Sequence, residues 1–105
     1  MGIPKSVTLY EVGPREGFQI EEGHIQTKDK IAFVNAINQT GLRSIEVTSF
    51  VSPKWVPKMA DAEEVLMGVT RVPEVSYRTV YLNTKGLERA LASNVTVDGV
   101  LILTA

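Results

Sequence analysis

Two kinds of apolar pattern alternate along this chain. Runs rich in valine, isoleucine, threonine and tyrosine, typical of β-strands, are separated by stretches in which apolar residues recur with the spacing of one face of an α-helix. These patterns predict strands at residues 7–12, 44–49, 76–82 and 99–104, and helices at residues 27–40, 61–70 and from residue 84 onward. The resulting order, β-α-β-α-β-α-β with short connections, predicts an α/β fold with a parallel sheet.

The predicted helix boundaries depend on local signals for starting and stopping a helix. Thr27 is placed to cap the first helix, since a threonine hydroxyl can accept a hydrogen bond from a free backbone N–H of the first turn, and Gly41 ends it. Asn83 or Thr84 caps the third helix in the same way. The last predicted strand is almost continuously apolar, which is typical of a strand covered on both faces.

Polar side chains gather where the first predicted strand ends. Arg15, Glu16 and Gln19 follow it directly, and Pro14 and Gly17 break the extended backbone because proline lacks an N–H donor and glycine tolerates positive φ. In a parallel sheet, ligands and catalytic groups collect at the carboxyl ends of the strands. Taken alone, however, this segment would more often be an ordinary polar turn.

Glu46 interrupts the second apolar run, at residues 44–49. A carboxylate is costly to bury unless it is paired with a cation or bound to a metal. Period-2 alternation alone would let Glu46 face solvent. With Arg15 and Glu16 at the end of the neighbouring strand, Glu46 becomes a candidate buried partner for the arginine.

Composition narrows the class of protein. The chain has 105 residues, 44% of them hydrophobic, no cysteine and a formal net charge of −1. A nearly neutral chain lacks the charge that attracts nucleic acids or anionic membranes, and without cysteine these residues form no disulfide, thiolate metal site or cysteine nucleophile. No apolar run approaches the roughly 20 residues of a membrane span, and no signal-peptide core is present. We therefore expect a cytoplasmic protein, with neither nucleic acid nor membrane as a partner.

Two segments carry a resemblance to a known family. They are EVGPREGFQ at residues 11–19 and IEVTSFVSPKWVP at residues 45–57. Both resemble 3-hydroxy-3-methylglutaryl-CoA lyase, in the superfamily of metal-dependent TIM-barrel lyases, aldolases and Claisen-type synthases, and weaker similarity continues through residues 83–86. The resemblance implies a TIM (β/α)8 barrel. Because a full barrel needs about 200 to 250 residues, residues 1–105 would form a partial catalytic domain with the first four strands and the first three helices.

The resemblance also implies a reaction and a cofactor. The reaction is the retro-Claisen cleavage of a 3-hydroxyacyl-CoA thioester to acetyl-CoA and a ketoacid, and the cofactor is a divalent metal, Mg²⁺ or Mn²⁺. Arg15 matches the arginine that stabilises the enolate, Glu46 the acidic residue that orients this arginine, and Glu16 the first metal ligand. Gln19, Ser49 and Asn83 match positions that line the same strand ends, and we expect them to contact the substrate.

Two positions depart from the family pattern. Glu16 stands where an aspartate is usual, so a carboxylate oxygen is retained on a side chain one methylene longer. The metal would shift by on the order of 1 Å, and shifts of this size can cost about 100-fold in rate. Ile20 stands where the lyase usually has a polar residue, which changes the entrance of the pocket.

Other interpretations stay open. The chain could come from a related aldolase or Claisen condensing enzyme, act as a non-catalytic half-barrel subunit, or form a complete small α/β domain with an open sheet. Under the lyase interpretation, the other metal ligands lie in the second half of the barrel. We therefore expect the isolated chain to be inactive, with an incomplete metal site, and to associate with the rest of the barrel or with copies of itself.

Overall fold

The computed structural model describes residues 2–93 and 98–101. Within these ranges the longer helices are α1 (Thr27–Ile37), α2 (Ala62–Gly68) and α3 (Thr84–Ala92), and the strands are β1 (Ser44–Phe50), β2 (Ser76–Tyr81) and β3 (Asp98–Leu101). Short helical turns lie at Gly13–Gly17, Phe18–Ile20 and Pro57–Met59. The strands form a parallel sheet in the order β1-β2-β3, so each βαβ unit connects neighbouring strands. The predicted α/β architecture with sequential parallel strands is therefore confirmed for the described residues. Residues 102–104 of the last predicted strand lie outside them.

The strand predicted at residues 7–12 is wrong as a continuous strand. Only Glu11 pairs with β1, through a parallel bridge to Ile45, in which the Glu11 N–H donates to Ser44 O at 2.9 Å and the Glu46 N–H donates to Glu11 O at 2.8 Å. The side chains of Val7 and Leu9 are 77% and 66% exposed. Little apolar burial therefore holds residues 7–10 against the edge of β1, and an alternating sequence alone does not make a strand.

The prediction that Thr27 caps the first helix is also wrong. Gln26 occupies the N-cap position with no side-chain hydrogen bond, and α1 ends at Ile37, earlier than the predicted residue 40. The Thr27 hydroxyl instead donates to Asp61 Oδ2 at 2.6 Å, across to the start of α2. A partner brought close by tertiary packing has replaced the local cap. Gly41 does adopt the left-handed conformation predicted for the stop, with φ of 85°.

The core lies between one face of the sheet and the helices α1 and α2. Its buried residues are Val34, Ile37, Ile45, Val47, Phe50, Ala62, Val65, Leu66, Val69 and Tyr77. Burying a large apolar side chain contributes about 1.5 to 3 kcal/mol, so this layer supplies most of the driving force for folding. It also fixes the direction of β1, on which the candidate site depends.

A β-bulge interrupts the pairing of β1 with β2. Glu46 lies opposite Arg78, but Thr48 lies opposite Thr79, so Val47 is an extra residue in β1. Bulges bend a strand and change the direction of nearby side chains. This one directly follows Glu46, the polar residue that interrupts the apolar run.

Candidate functional site

Arg15 and Glu16 lie on a π-helical turn at Gly13–Gly17, directly after the bridge at Glu11. The N–H groups of Arg15 and Glu16 both donate to Val12 O, at 3.1 and 2.7 Å. π-Helical turns are rare and occur frequently at functional sites. The turn directs the arginine toward β1, and Pro14 within it is buried.

Arg15 and Glu46 form the ion pair that the sequence predicts. Arg15 Nε and Nη2 both donate to Glu46 Oε2, at 3.1 and 3.0 Å. The side chains of Arg15 and Glu46 are 18% and 6% exposed, so this charged contact is largely removed from water. Two N–H groups on one oxygen fix the guanidinium more firmly than a single contact would. The predicted contact is confirmed, with Glu46 inside β1.

Glu16 places a second carboxylate beside the same guanidinium. Its Oε2 lies 3.6 Å from Arg15 Nη2, and its side chain is 58% exposed. Arg15 therefore has one buried carboxylate that holds it in place and one exposed carboxylate beside it. Such an exposed pair contributes little to stability, about 0 to 1 kcal/mol. Glu16 is thus available to a ligand, whereas Glu46 is committed to the arginine.

The three predicted substrate contacts have different surroundings. Gln19 is half-buried in the helical turn Phe18–Ile20 that follows Arg15. Ser49 is 1% exposed within β1, and its hydroxyl donates to Val80 O at the long distance of 3.5 Å. Asn83 is exposed at the carboxyl end of β2, where its Oδ1 accepts from the Gly86 N–H at 2.9 Å and caps α3. Gln19 therefore lies next to the turn Gly13–Gly17 that carries Arg15, which we call the arginine turn, and Asn83 caps a helix.

Asn83 also lines a cleft at the carboxyl ends of β1 and β2. The cleft has a volume of about 180 Å³ and is lined by Phe50, Val51, Ser52, Pro53, Asn83, Lys85, Gly86 and Arg89. This lining does not include Arg15, Glu16 or Glu46. The polar groups that the sequence predicts at one sheet edge are thus divided between the arginine turn and this cleft.

Sequence reasoning missed Arg78, which the register places beside Glu46. Arg78 lies opposite Glu46 on one side and opposite Asp98 on the other, and paired residues of adjacent strands share a face of the sheet. Its guanidinium lies 5.5 Å from the centre of the Tyr10 ring. The signal was available, because Arg78 interrupts an apolar strand just as Glu46 does. The register that joins the two could not be read from either strand alone.

A divalent cation would find an oxygen donor here, but only part of a binding site. The exposed Glu16 carboxylate is the kind of ligand that Mg²⁺ and Mn²⁺ prefer. Within residues 2–93 and 98–101, no three acidic, histidine or cysteine side chains gather as a metal site requires. His24 is exposed. The described residues therefore fit one ligand of a metal site and do not complete it.

The fold and this group of side chains define a class of protein. Sequential parallel βαβ units are the repeating unit of a TIM barrel, and the described residues fit a segment of such a barrel. No helix in the described part of the chain is long and apolar enough to cross a bilayer.

Comparisons with known proteins show that the chain is similar to hydroxymethylglutaryl-CoA lyases. The chain is 50% identical over 95 residues to the 3-hydroxy-3-isohexenylglutaryl-CoA/hydroxy-methylglutaryl-CoA lyase of Pseudomonas aeruginosa. This alignment covers 90% of this chain and 32% of the relative. The crystal structure of hydroxymethylglutaryl-CoA lyase from Pseudomonas aeruginosa matches 96% of this chain and 33% of its own, with a TM-score of 0.87 and 48% identity. The resemblance found in the sequence is thereby confirmed. No protein-family model matches the chain.

A third match includes bound ligands. The structure of an HMG-CoA lyase from Acinetobacter baumannii, in complex with coenzyme A and 3-methylmalate, covers 91% of this chain and 30% of its own, with a TM-score of 0.81 and 40% identity. The chain thus spans about a third of the length of the curated relatives and solved structures that it matches.

Proposed function

We propose that this chain is the first part of the catalytic barrel domain of a hydroxymethylglutaryl-CoA lyase-like enzyme. The enzyme would cleave a 3-hydroxyacyl-CoA thioester to acetyl-CoA and a ketoacid. The observation that carries the proposal is the Arg15–Glu46 pair, in which a largely buried cation is held by two hydrogen bonds within a segment similar to lyases. A cytoplasmic location stays a prediction.

The chemistry explains why a fixed cation is needed. The tertiary hydroxyl of the substrate loses its proton, the oxygen forms the ketone, and the adjacent C–C bond breaks. The electron pair of that bond moves onto the acetyl thioester as an enolate, which then takes up a proton to give acetyl-CoA. Negative charge thus develops on the thioester oxygen, and a preorganised donor at this oxygen lowers the barrier. In this proposal Arg15 is that donor.

Glu46 would act on the reaction through the arginine. Both of its hydrogen bonds from Arg15 use the Nε and Nη2 edge, so Nη1 is left for the substrate. Holding the guanidinium before the substrate arrives avoids reorganisation during the reaction. Gln19 in the helical turn that follows Arg15, Ser49 on β1 and Asn83 in the cleft remain proposed substrate contacts.

A divalent metal, Mg²⁺ or Mn²⁺, would supply Lewis-acid polarisation of the substrate oxygens when bound. Glu16 would hold it as one ligand, because its carboxylate is exposed and is not committed to a buried partner. The other ligands would come from outside the described residues. An acyl-CoA thioester is the proposed substrate class, which agrees with the coenzyme A bound to the Acinetobacter baumannii relative.

Steady-state kinetics of an active protein containing this chain would test the proposal. Arg15→Gln should lower kcat by about 100- to 1,000-fold, as expected for the loss of one oxyanion donor, and should change KM much less. Arg43→Gln is the matched control, since Arg43 is exposed and precedes β1 at its opposite end.

A near wild-type kcat in Arg15→Gln, with only weaker substrate binding, would rule out the enolate role. Consumption of acetyl-CoA rather than its release would identify the enzyme as a condensing relative.

A further inference from the structure

The loop between β1 and α2 is held at both ends by one arginine of α3. We call residues 51–60 the 51–60 loop. Arg89 Nη1 donates to Val51 O at 3.2 Å, and Arg89 Nη2 donates to Ala60 O at 3.0 Å. These carbonyls belong to the first and last residues of the loop. A single guanidinium therefore ties the two ends together, with its N–H groups in a fixed fork.

Two neighbours hold the Arg89 side chain in place. Glu63 on α2 accepts from Arg89 Nε and Nη2, the latter at 2.7 Å, and the Phe50 ring centre lies 5.2 Å from the guanidinium. The helix that carries Arg89 is fixed by the Asn83 cap and by Gly86, where an added Cβ would lie 2.5 Å from Phe50 O. We call the two hydrogen bonds from Arg89 to Val51 O and Ala60 O the Arg89 clasp, and the helix that carries it is fixed at its start.

A different cation anchors the second half of the 51–60 loop. Lys30, which is 5% exposed, donates to Lys58 O and forms an ion pair with Asp61 Oδ1 at 2.8 Å. Met59 beside it is 1% exposed. In the first half, the Trp55 and Val56 N–H groups donate to Ser52 O, at 3.1 and 2.8 Å. Among the described residues, Arg89 is the side chain that ties Val51, at the start of the loop, to a helix.

We propose that Arg89 is a positioning residue that holds the first half of the 51–60 loop in one conformation. Ser52 and Pro53 of this half and Asn83 line the cleft at the ends of β1 and β2, so Arg89 sets the shape of that cleft. This rests on the proposed function to the extent that the cleft receives part of the thioester substrate. The clasp itself does not depend on the reaction.

Trp55 gives a direct signal for this loop. It is the only tryptophan of the chain, lies in the first half of the loop and is 78% exposed. Time-resolved fluorescence anisotropy of the 105-residue chain, at a concentration at which sedimentation shows a monomer, therefore measures the local motion of this loop separately from the tumbling of the whole molecule. Arg89→Met should increase the amplitude of the fast depolarising component about twofold or more, because the start of the loop loses its anchor.

Lys85→Met is the matched control, since Lys85 lies on the same helix and lines the same cleft. It should leave the Trp55 anisotropy unchanged. Arg89→Lys should behave like Arg89→Met, because a single ammonium does not reproduce the fork that reaches both carbonyls. Equal fast amplitudes in Arg89→Met and the unaltered chain, or an equal increase in Lys85→Met, would overturn the proposal.

Glu63→Gln separates the clasp from the ion pair between the helices. It removes the charge partner of Arg89 but leaves both loop carbonyls available. The fast component of the Trp55 anisotropy should therefore have a much smaller amplitude in Glu63→Gln than in Arg89→Met. Equal amplitudes in the two variants would show that the ion pair alone holds the loop, and would refute the clasp. If a longer protein containing this chain cleaves no thioester, the proposed function fails, while the anisotropy result still decides the role of Arg89.

Discussion

Arg15 is the side chain on which the candidate site depends. Arg15 lies 31 residues before Glu46 in the sequence, yet its Nε and Nη2 groups both donate to Glu46 Oε2. The carboxylate of Glu46, on a side chain that is 6% exposed inside an apolar strand, requires such a partner, since an unpaired buried charge is unfavourable. The pair therefore has a structural role in addition to the proposed catalytic one.

A double-mutant cycle on the 105-residue chain should reveal this coupling. Arg15→Gln and Glu46→Gln should each lower the free energy of unfolding, by up to about 3 kcal/mol, because each leaves the other charge without its buried partner. The double variant should be less destabilised than the sum of the two, with a coupling energy of about 1 to 3 kcal/mol. Urea unfolding at neutral pH measures the free energy of unfolding of the unaltered chain, the two single variants and the double variant. Additivity within about 0.5 kcal/mol would show that the pair has no net interaction in solution.

Glu63 makes stability depend on pH. Burial raises its pKa, but the hydrogen bond from Arg89, a backbone hydrogen bond and the charge of Arg89 together hold the pKa below its ordinary value of 4.5. A carboxyl with a lowered folded-state pKa stabilises the fold above its unfolded-state pKa, and this contribution is lost as the pH falls through the folded value.

We therefore expect Glu63→Gln to be less stable than the unaltered chain at pH 7, with the difference shrinking as the pH falls below 4.5. Urea unfolding at several pH values measures the difference. Glu64→Gln is the control, since Glu64 is exposed on the same helix. A difference that stays constant from pH 7 to acidic pH would contradict the assignment.

At the scale of elements, the cleft at the ends of β1 and β2 depends on how closely the backbone of α3 approaches β1. The start of α3 lies directly against the end of β1, because Gly86 has no side chain to keep them apart. An added Cβ would lie 2.5 Å from Phe50 O and 3.1 Å from Tyr81 Cβ, and neither neighbour is a flexible side-chain end. The Asn83 cap holds the helix in the same place.

Gly86→Ala should therefore destabilise the chain, although alanine is the better helix former. A clash with backbone in a well-packed region typically costs about 1 to 3 kcal/mol, which exceeds the gain in helix propensity of about 1 kcal/mol. Gly17→Ala is the matched control, since Gly17 also has helical φ and nothing lies within 4 Å of an added Cβ. Thermal and urea unfolding compare the two variants. Equal stability of Gly86→Ala and the unaltered chain would show that α3 can move away from β1.

At the scale of the molecule, the described residues leave much apolar surface uncovered. Side chains that are at least half exposed include Val7, Leu9, Tyr10, Ile20, Trp55, Met67 and Leu91. The segment at residues 7–10 is the most telling part, because its side chains alternate as they would in a covered strand but are open to solvent. Exposed apolar segments beside an unpaired sheet edge favour association between molecules.

The isolated chain should accordingly self-associate and show no lyase turnover. Sedimentation velocity over a range of concentrations, with a coupled acetyl-CoA assay, measures both. Val7→Lys combined with Leu9→Lys should weaken the association, whereas Met67→Lys on α2 should not. A stable monomer that cleaves the thioester in a metal-dependent way would contradict the proposal that the site needs ligands from outside this chain.

The amino-acid sequence by itself determined the order and type of the main elements after residue 26. Alternating patterns placed β1 and β2 and all three helices close to their observed bounds, because binary patterning and breaker residues act locally. It also indicated that Arg15 and Glu46 are partners, since an acidic residue in an apolar strand requires a nearby cation.

Tertiary structure alone decided the contacts that depend on distant residues meeting in space. The Thr27 hydroxyl donates to Asp61 and does not cap α1. Residues 7–10 form no strand, and no part of the described chain covers their side chains. The bulge in β1, the register that sets Arg78 beside Glu46, and the Arg89 clasp likewise result from packing between elements. A local pattern predicts which face of an element a residue occupies. The partner that the residue contacts on that face is decided only by the tertiary fold.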